Sequence, residues 1–334
     1  MNVLIIGGTG LISVGIVKHL LERGAKVTAF NRAQRENVLP ASVEQLKGDR
    51  YEYDAFERQF EKSRYDVVID MMCFSEKDAE CLVRTFAGRC EQILFCSSAM
   101  SYGSKMPPQV LADETFKQEP DTEYGVNKAL CEALFLRAQE QGKFKATTIR
   151  PSNTYGPGRP LIDQLEFNPP SWDRIERGLP VLCAGDGMPL WVSTHRDDVG
   201  KLFAYAALNP KTYGQAYNGT HDRIFTWRDY FREGAQALGK TATLIFAPSA
   251  WILAHNEKRF GLLKNLGQHH LAYDSRKAKA DVPEFRCEID FVDGARETLT
   301  DVKRRSAWVD SQSDTEYQAL VDKALAAGFP TATA

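Results

Sequence analysis

Val3-Leu4-Ile5-Ile6-Gly7-Gly8-Thr9-Gly10-Leu11-Ile12-Ser13 runs from four consecutive apolar residues into a glycine-rich turn and on into a helical pattern. Four apolar residues in a row suit a strand covered on both faces. Glycine at 7 permits a tight turn, and glycine at 10 lets backbone come close to a bound anion. The N–H groups and dipole at the N-terminus of the following helix attract a pyrophosphate. Gly7, Thr9, Gly10, Leu11 and Ile12 are therefore the expected dinucleotide contacts. A plain glycine turn is the alternative, but the required strand precedes this one and the required helix follows it. Ser13 stands at the third small position and is small enough for close helix–strand packing.

Outward from this turn, short apolar runs alternate with charged amphipathic segments. After a helix over Val14–Arg23 come Val27–Phe30, Val67–Met71, Ile93–Cys96 and Ala146–Ile149. The pattern predicts an α/β fold: a doubly wound parallel Rossmann sheet with ligands at the carboxyl ends of its strands. Past residue 155, prolines 157, 160, 169 and 170 punctuate a loop-rich stretch. Short strands are expected at Val181–Leu182 and Leu190–Ser193. Helices are expected at Trp172–Arg177, Asp197–Leu208, Trp227–Leu238 and Asp290–Lys303, with a frayed tail over Thr331–Ala334. This divides the chain into a dinucleotide-binding domain, 1–155 plus about 190–225, and a smaller C-terminal α/β substrate-binding region, 156–189 plus about 226–330. No low-complexity linker separates them, so the second half is expected to fold onto the first.

Composition narrows the function classes. The 334 residues are 43% hydrophobic and 26% charged, with a formal net charge of −2 and no long block of either sign. That disfavours disorder and a nucleic-acid partner. No apolar run approaches the roughly 20 residues of a membrane span. Val3–Ile6 is too short for a signal peptide. Seven cysteines without a Cys-x-x-Cys pair read as reduced, buried thiols, which fits the cytoplasm. His269-His270 has no third ligand at sensible spacing, so no metal is expected.

The end of the second strand reads Asn31-Arg32. A carboxylate there would bond both ribose hydroxyls of NAD and repel a 2′-phosphate. With Arg32 in its place, NAD(P) binding leans to NADP, because a guanidinium pairs well with phosphate. Arg32 stacking on adenine or lying in water is the alternative. Asp49 is placed to accept from the adenine amino group and equally suits capping a turn. Met71, at a strand end, joins the expected cofactor set.

Tyr124-Gly125-Val126-Asn127-Lys128 opens a helix that runs through Arg137. Spacing of i and i+4 puts phenol and ammonium on one face. A phenol titrates near 10 when unperturbed, and a neighbouring cation favours phenolate, so Tyr124 suits acid/base work. Ser98 follows the strand ending at Cys96, where its hydroxyl can meet a reacting oxygen. Alone, a Tyr-x-x-x-Lys set often arises by chance. Following a glycine turn and strand-end serines in this order, it does not.

Gly7–Ser13, Ser97-Ser98 with Tyr102-Gly103, Tyr124-x-x-x-Lys128 and Arg150-Pro151-Ser152-Asn153-Thr154-Tyr155-Gly156-Pro157-Gly158 together resemble the extended short-chain dehydrogenase/reductases. They are most similar to the NAD-dependent epimerase/dehydratase family, from residue 1 to about 205, with a fainter echo at Tyr273–Ala278. The resemblance implies Tyr124 as acid/base and Lys128 as the group that binds the nicotinamide ribose and tunes the phenol. It implies Ser98 as orienter of the substrate hydroxyl, Pro151, Ser152 and Asn153 as neighbours of nicotinamide and substrate, and a homodimer through the helix carrying Tyr124.

Two departures matter. Dehydrating members keep Asp-Glu, and decarboxylating ones a Glu, where this chain has Ala99-Met100. Neither residue moves a proton, which disfavours both chemistries. In Gly185-Asp186-Gly187-Met188-Pro189-Leu190-Trp191-Val192-Ser193-Thr194-His195, Trp191 stands where nucleotide-sugar enzymes carry a diphosphate-clamping arginine. An indole can stack on a sugar or base but cannot neutralise phosphate. Arg159, Arg196 and Lys264 are the candidate replacements. A similar segment occurs in relatives that include plastid RNA-associated proteins. His195 is a candidate substrate ligand, although a lone histidine beside a strand is more often structural.

The expected function is an NAD(P)-dependent epimerase or oxidoreductase acting on a small-molecule sugar or nucleotide-sugar hydroxyl. The alternatives are an NADPH-dependent reductase of a non-nucleotide carbonyl, and a non-catalytic dinucleotide-binding regulator or RNA-associated protein.

Overall fold

In the structure, a computed structural model describing residues 1–34, 38–107 and 111–334, seven parallel strands form one sheet. They are β1 (Asn2–Ile6), β2 (Lys26–Asn31), β3 (Glu44–Lys47), β4 (Tyr65–Asp70), β5 (Cys90–Cys96), β6 (Lys145–Pro151) and, after four shorter strands introduced below, β11 (Gln215–Gly219). Their order is β11-β6-β5-β4-β1-β2-β3. The chain winds outward from β1 to β3, then crosses back to β4. The crevice between β1 and β4 is therefore the topological switch point, where ligands of such sheets bind. Val3↔Val67 through Ile6↔Asp70 set the register at that crevice.

Period-two alternation sorts the apolar strand residues onto two faces. Leu4, Ile6, Val68, Ile93 and Phe95 pack against α2 (Tyr53–Phe60), α3 (Glu76–Phe86) and α4 (Glu123–Glu140) through Phe56, Phe60, Leu82, Phe86, Cys131 and Phe135. Val3, Ile5, Val27, Val67, Ile69 and Leu94 pack against α1 (Leu11–Glu22) and α6 (Arg196–Ala206). Each fully buried side chain of this size contributes about 1.5–3 kcal/mol. Gly15 and Gly200 let α1 and α6 touch backbone to backbone, since a Cβ on either would run into the other helix.

The remainder of the chain builds β7 (Asn153–Tyr155), α5 (Ser171–Glu176), β8 (Val181–Ala184), β9 (Leu190–Trp191), β10 (Ser193–His195), β12 (Phe225–Thr226), α7 (Trp227–Ala237), β13 (Thr243–Ala247), α8 (Ser249–His255), α9 (Arg276–Asp281), α10 (Phe291–Arg304), α11 (Thr315–Ala326) and β14 (Thr331–Thr333). Its aromatic core of Trp172, Trp191, Phe225, Trp227, Tyr230 and Phe291 also takes in Ala99, Tyr102 and Tyr155, so the second half is packed on the first. Ala278, Val282 and Phe285 pack with the sheet, although they lie in the 226–330 stretch that the sequence reading gave to the substrate region.

Two expectations need correction. The tail is not frayed: Thr331–Thr333 pairs antiparallel with Thr243–Ile245, closing a three-stranded sheet with β8. Leu190–Ser193 is not one strand. Leu190–Trp191 pairs with β12 and Ser193–His195 with β7, so the chain changes partners at Val192. All seven cysteines are free thiols. Among the described residues, no helix is long and apolar enough to cross a membrane, and no group of three His, Cys, Asp or Glu side chains converges as a metal cage.

Candidate active site

At the switch point Gly7 adopts φ +83°, a conformation that an L side chain rarely takes, and a Cβ there would sit 2.5 Å from Met72 Cγ. Gly10 caps α1 with no side chain over the helix end. The first-turn N–H groups of Leu11 and Ile12 therefore have neither an intrahelical acceptor nor a cap. Thr9, Gly10, Leu11 and Ile12 are only half-buried. Ser13 does more than fit: its hydroxyl donates to the Gly7 carbonyl at 2.8 Å and ties the turn shut. An uncovered helix N-terminus behind a glycine turn fits a pyrophosphate.

At the ends of β2 and β3, Asn31 is committed to the protein. Its amide donates to Gln45 at 3.0 Å and its oxygen accepts from the Ala33 N–H at 2.8 Å. Arg32 is half-exposed and lies 3.9 Å from Asp49, a loose pair that a phosphate can displace. Asp49 caps a turn, accepting from the Tyr51 N–H at 2.9 Å, as the second sequence reading had it. Met71 is half-buried and donates its N–H to the Ile6 carbonyl across the crevice.

The candidate chemical residues lie on adjoining elements. Thr122 caps α4 by accepting from the Gly125 N–H at 3.1 Å. Gly125 presses on the Met100 carbonyl so closely that a Cβ would collide with it, which sets Tyr124 beside the turn that Ser98 begins. Ser98 accepts from the Met100 N–H at 3.2 Å and keeps its own proton to donate. Tyr124 is 44% exposed, and its hydroxyl bonds no described residue. Lys128 is buried, with Nζ donating to the Cys73 and Cys96 carbonyls, each at 2.8 Å. The ammonium lies 5.6 Å from the Tyr124 ring centroid, 4.5 Å from that of Phe74 and 4.9 Å from that of Phe95. Two carbonyls use two of its three N–H groups.

Pro151 is buried and Ser152 half-buried at the end of β6. The Ser152 hydroxyl meets Thr194 Oγ1 at 3.1 Å and accepts from Thr220 at 3.2 Å. Asn153 is half-buried, and its amide donates to Ser193 Oγ at 2.7 Å across the β7–β10 register.

Trp191 is placed differently from expectation, whereas His195 takes the structural place weighed above as the commoner one for a lone histidine. Trp191 is 3% exposed, packs with its ring centroid 4.6 Å from that of Trp227 at a tilt of 31°, and gives its indole N–H to Ser193 Oγ at 3.0 Å. Pairing with β12 turns its ring inward, so it supports Asn153 through Ser193 and is not open to a sugar. His195 is 1% exposed, caps α6 by accepting from the Asp197 N–H at 3.3 Å, and packs edge-on to Tyr155. Burial holds its imidazole down to about 4, so it is neutral near pH 7.

Sequence reasoning missed a buried network behind Ser98. Glu132 of α4 and Arg150 of β6 form a bidentate pair, Nε to Oε1 at 3.0 Å and the terminal nitrogen to Oε2 at 2.5 Å, with both side chains under 10% exposed. Ser97 donates to Glu132 as well, and Gln118 does so at 3.0 Å. Arg150 also reaches the Tyr102 hydroxyl at 2.8 Å, which donates to Asn218 at 2.9 Å. Burial pushes the Tyr102 phenol up to about 12 despite the adjacent guanidinium. Burial works against the Arg150 charge, yet the Glu132 carboxylate keeps it firmly protonated. The available signal was Glu132 one turn past Lys128 on the same inward face.

Comparison with known proteins accords with this geometry. The family described as NAD dependent epimerase/dehydratase matches residues 3–218. A 2'-dehydrokanamycin reductase of Streptomyces kanamyceticus is 28% identical over 75% of this chain and 70% of its own. A chloroplast stem-loop binding protein of 41 kDa (b) from Arabidopsis thaliana is 26% identical over 88% of this chain and 77% of its own. The UDP-glucose 4-epimerase of Thermotoga maritima, solved with UDP-glucose, superposes with a TM-score of 0.72 at 20% identity, covering 91% of this chain and 99% of that one. The Thermus thermophilus UDP-glucose 4-epimerase in complex with NAD gives 0.70 at 22% identity, over 91% and 99%.

Proposed function

This chain belongs to the NAD dependent epimerase/dehydratase family, and we propose that it is an NADP(H)-dependent reductase of a carbonyl on a sugar or glycoside that carries no nucleotide diphosphate. The observation that carries the reading is the unbonded, exposed Tyr124 hydroxyl beside the fixed Lys128 ammonium, with the Ser98 hydroxyl on the adjoining turn.

When bound, the nicotinamide supplies or accepts the hydride. Tyr124 gives its proton to the carbonyl oxygen as that oxygen gains negative charge, and takes a proton back in the oxidative direction. Ser98 donates to the same oxygen and orients it. Lys128 puts a fixed positive charge under the phenol and keeps one N–H for the cofactor. Asn153 borders the substrate. Arg32, held only loosely by Asp49, supports NADP over NAD.

Cation bookkeeping supports a substrate without a diphosphate. A pyrophosphate needs guanidinium or ammonium groups free to pair with it. Of the three candidate replacements for Trp191, Arg196 is bound to the Pro157 carbonyl and Asp197, and Lys264 to Glu257. Arg159 alone has no acidic partner among the described residues. Arg259 is enclosed by Glu166, Asp314 and Glu316. The relative named 2'-dehydrokanamycin reductase supports the same substrate class. We further propose a homodimer through α4, whose Val126, Leu130 and Leu136 lie about 40% exposed.

The test is a panel of keto sugars, 2'-dehydrokanamycin and 4-keto nucleotide sugars incubated with NADPH, following loss of reduced-cofactor absorbance. Turnover of a diphosphate-free ketone, abolished by Tyr124→Phe, is expected. Turnover confined to nucleotide-linked ketones, or full activity in Tyr124→Phe, overturns the proposal. Isomerisation with no net change in reduced cofactor points to an epimerase instead.

A further inference from the structure

Phe74 lies outside every motif of the sequence, yet its ring is fixed against both chemical groups. It follows β4 in the loop Met71–Ser75, and Asp78 pins that loop: one carboxylate oxygen accepts the Phe74 and Ser75 N–H groups, each at 2.9 Å. Asp78 is itself buried and receives the Tyr53 hydroxyl at 2.8 Å, while its carbonyl accepts from Arg50 at 2.5 Å. The backbone thus has little freedom, and the side chain is directed over α4. The ring centroid lies 4.5 Å from Lys128 Nζ and 6.3 Å from the Tyr124 ring.

Lys128 is held in a cage of mixed parentage. Cys73 supplies a carbonyl from the loop after β4 and Cys96 one from the end of β5, Phe95 supplies a buried ring, and Tyr124 flanks the ammonium from the same helix. Phe74 flanks it from the loop after β4 and is itself 36% exposed. Among the described residues, no carboxylate pairs with this ammonium. Its charge is met by carbonyl dipoles and by the negative faces of aromatic rings, an attraction that strengthens as water is removed.

We infer that Phe74 is a positioning residue of the cofactor site, which aims the last N–H of Lys128 at the cofactor and steadies the Tyr124 ring without itself touching the reacting atoms. The inference rests on the proposed NADP(H) binding. A mere surface hydrophobe here would fill space and nothing more, so shape and ring character have to be separated.

The experiment titrates NADPH, by fluorescence, into the full chain as wild type, Phe74→Tyr, Phe74→Leu and Phe74→Ala, with melting temperatures measured without cofactor. Leucine keeps bulk and loses the ring face; tyrosine keeps the face. Phe74→Tyr should bind within about twofold of wild type, and Phe74→Leu about tenfold more weakly at an unchanged melting temperature, as expected for losing a desolvated cation–ring contact. Phe74→Ala should weaken binding at least as much; if it does not fold, the leucine variant decides. Wild-type affinity in Phe74→Leu, or a loss matched by a lowered melting temperature, overturns the inference. Failure of the wild type to bind either NADPH or NADH overturns instead the reading beneath it.

Discussion

Glu132→Gln removes one charge from the pair behind the serine turn while keeping its shape. The guanidinium of Arg150 stays 7% exposed, with its carboxylate counterpart gone. Glu132 accepts five hydrogen bonds: three from Arg150, one from Ser97 and one from Gln118. A neutral amide supplies only one accepting oxygen and sets two donors against existing donors. Removing one partner of a buried pair costs about 3–5 kcal/mol, most of it from the charge left uncompensated. Glu132→Met with Arg150→Met removes both charges and should recover part of that loss. The Tyr102 hydroxyl keeps Asn218 as its partner in the double variant, but the buried Ser97 hydroxyl loses its acceptor, so about 1–3 kcal/mol of the deficit should remain. Urea unfolding followed by tryptophan fluorescence measures all three proteins. A loss below about 1 kcal/mol in Glu132→Gln, or a double variant no more stable than the single one, refutes the argument that this network is a dry charge pair.

Other predictions follow from single contacts. Ser193→Ala removes the acceptor shared by Trp191 and Asn153. The Trp191 indole N–H resonance should move upfield, with a stability loss of about 1–3 kcal/mol; an unmoved resonance contradicts the bond. His195, held down to about 4 by burial, is neutral in the fold, whereas the unfolded chain takes up a proton below about 6.5. Its contribution is therefore present above that value and is lost as pH falls toward 4, up to about 3 kcal/mol. Asp163 and Glu166, pushed up by burial to about 6 and about 7, act in the opposite sense over the same window. The difference in acid melting between wild type and His195→Gln reads the histidine alone, and parallel curves contradict its assignment. Leu130→Glu places a charge on the exposed apolar face of α4; light scattering should show a dimer become a monomer, and an unchanged mass contradicts that interface.

The sheet was legible because each central strand is a near-continuous apolar run next to an amphipathic helix. Gly7, Gly10 and the Tyr124–Lys128 spacing were legible because their geometry is local: a turn, a helix start and one helical repeat. What sequence could not reveal depends on pairing across distance. Leu190–Ser193 has the composition of one strand, and only its two partners, β7 and β12, divide it. That division turns Trp191 inward, where its place at the position of the diphosphate-clamping arginine of similar enzymes had suggested a ligand contact. Thr331–Thr333 is short and polar, and it is ordered by an edge that β13 provides. Phe74 gave no signal because its role comes from a loop pinned by Asp78, and Arg150 read as a motif residue with no visible counterpart until β6 met α4.

A crystal structure of the protein with NADPH tests the central claim most directly. The account predicts the pyrophosphate on the Leu11 and Ile12 N–H groups, with the nicotinamide ribose within hydrogen-bonding distance of Lys128 Nζ and the ring beside the Tyr124 hydroxyl. A cofactor that occupies the crevice with its nicotinamide turned away from those two side chains, or that binds elsewhere, contradicts it.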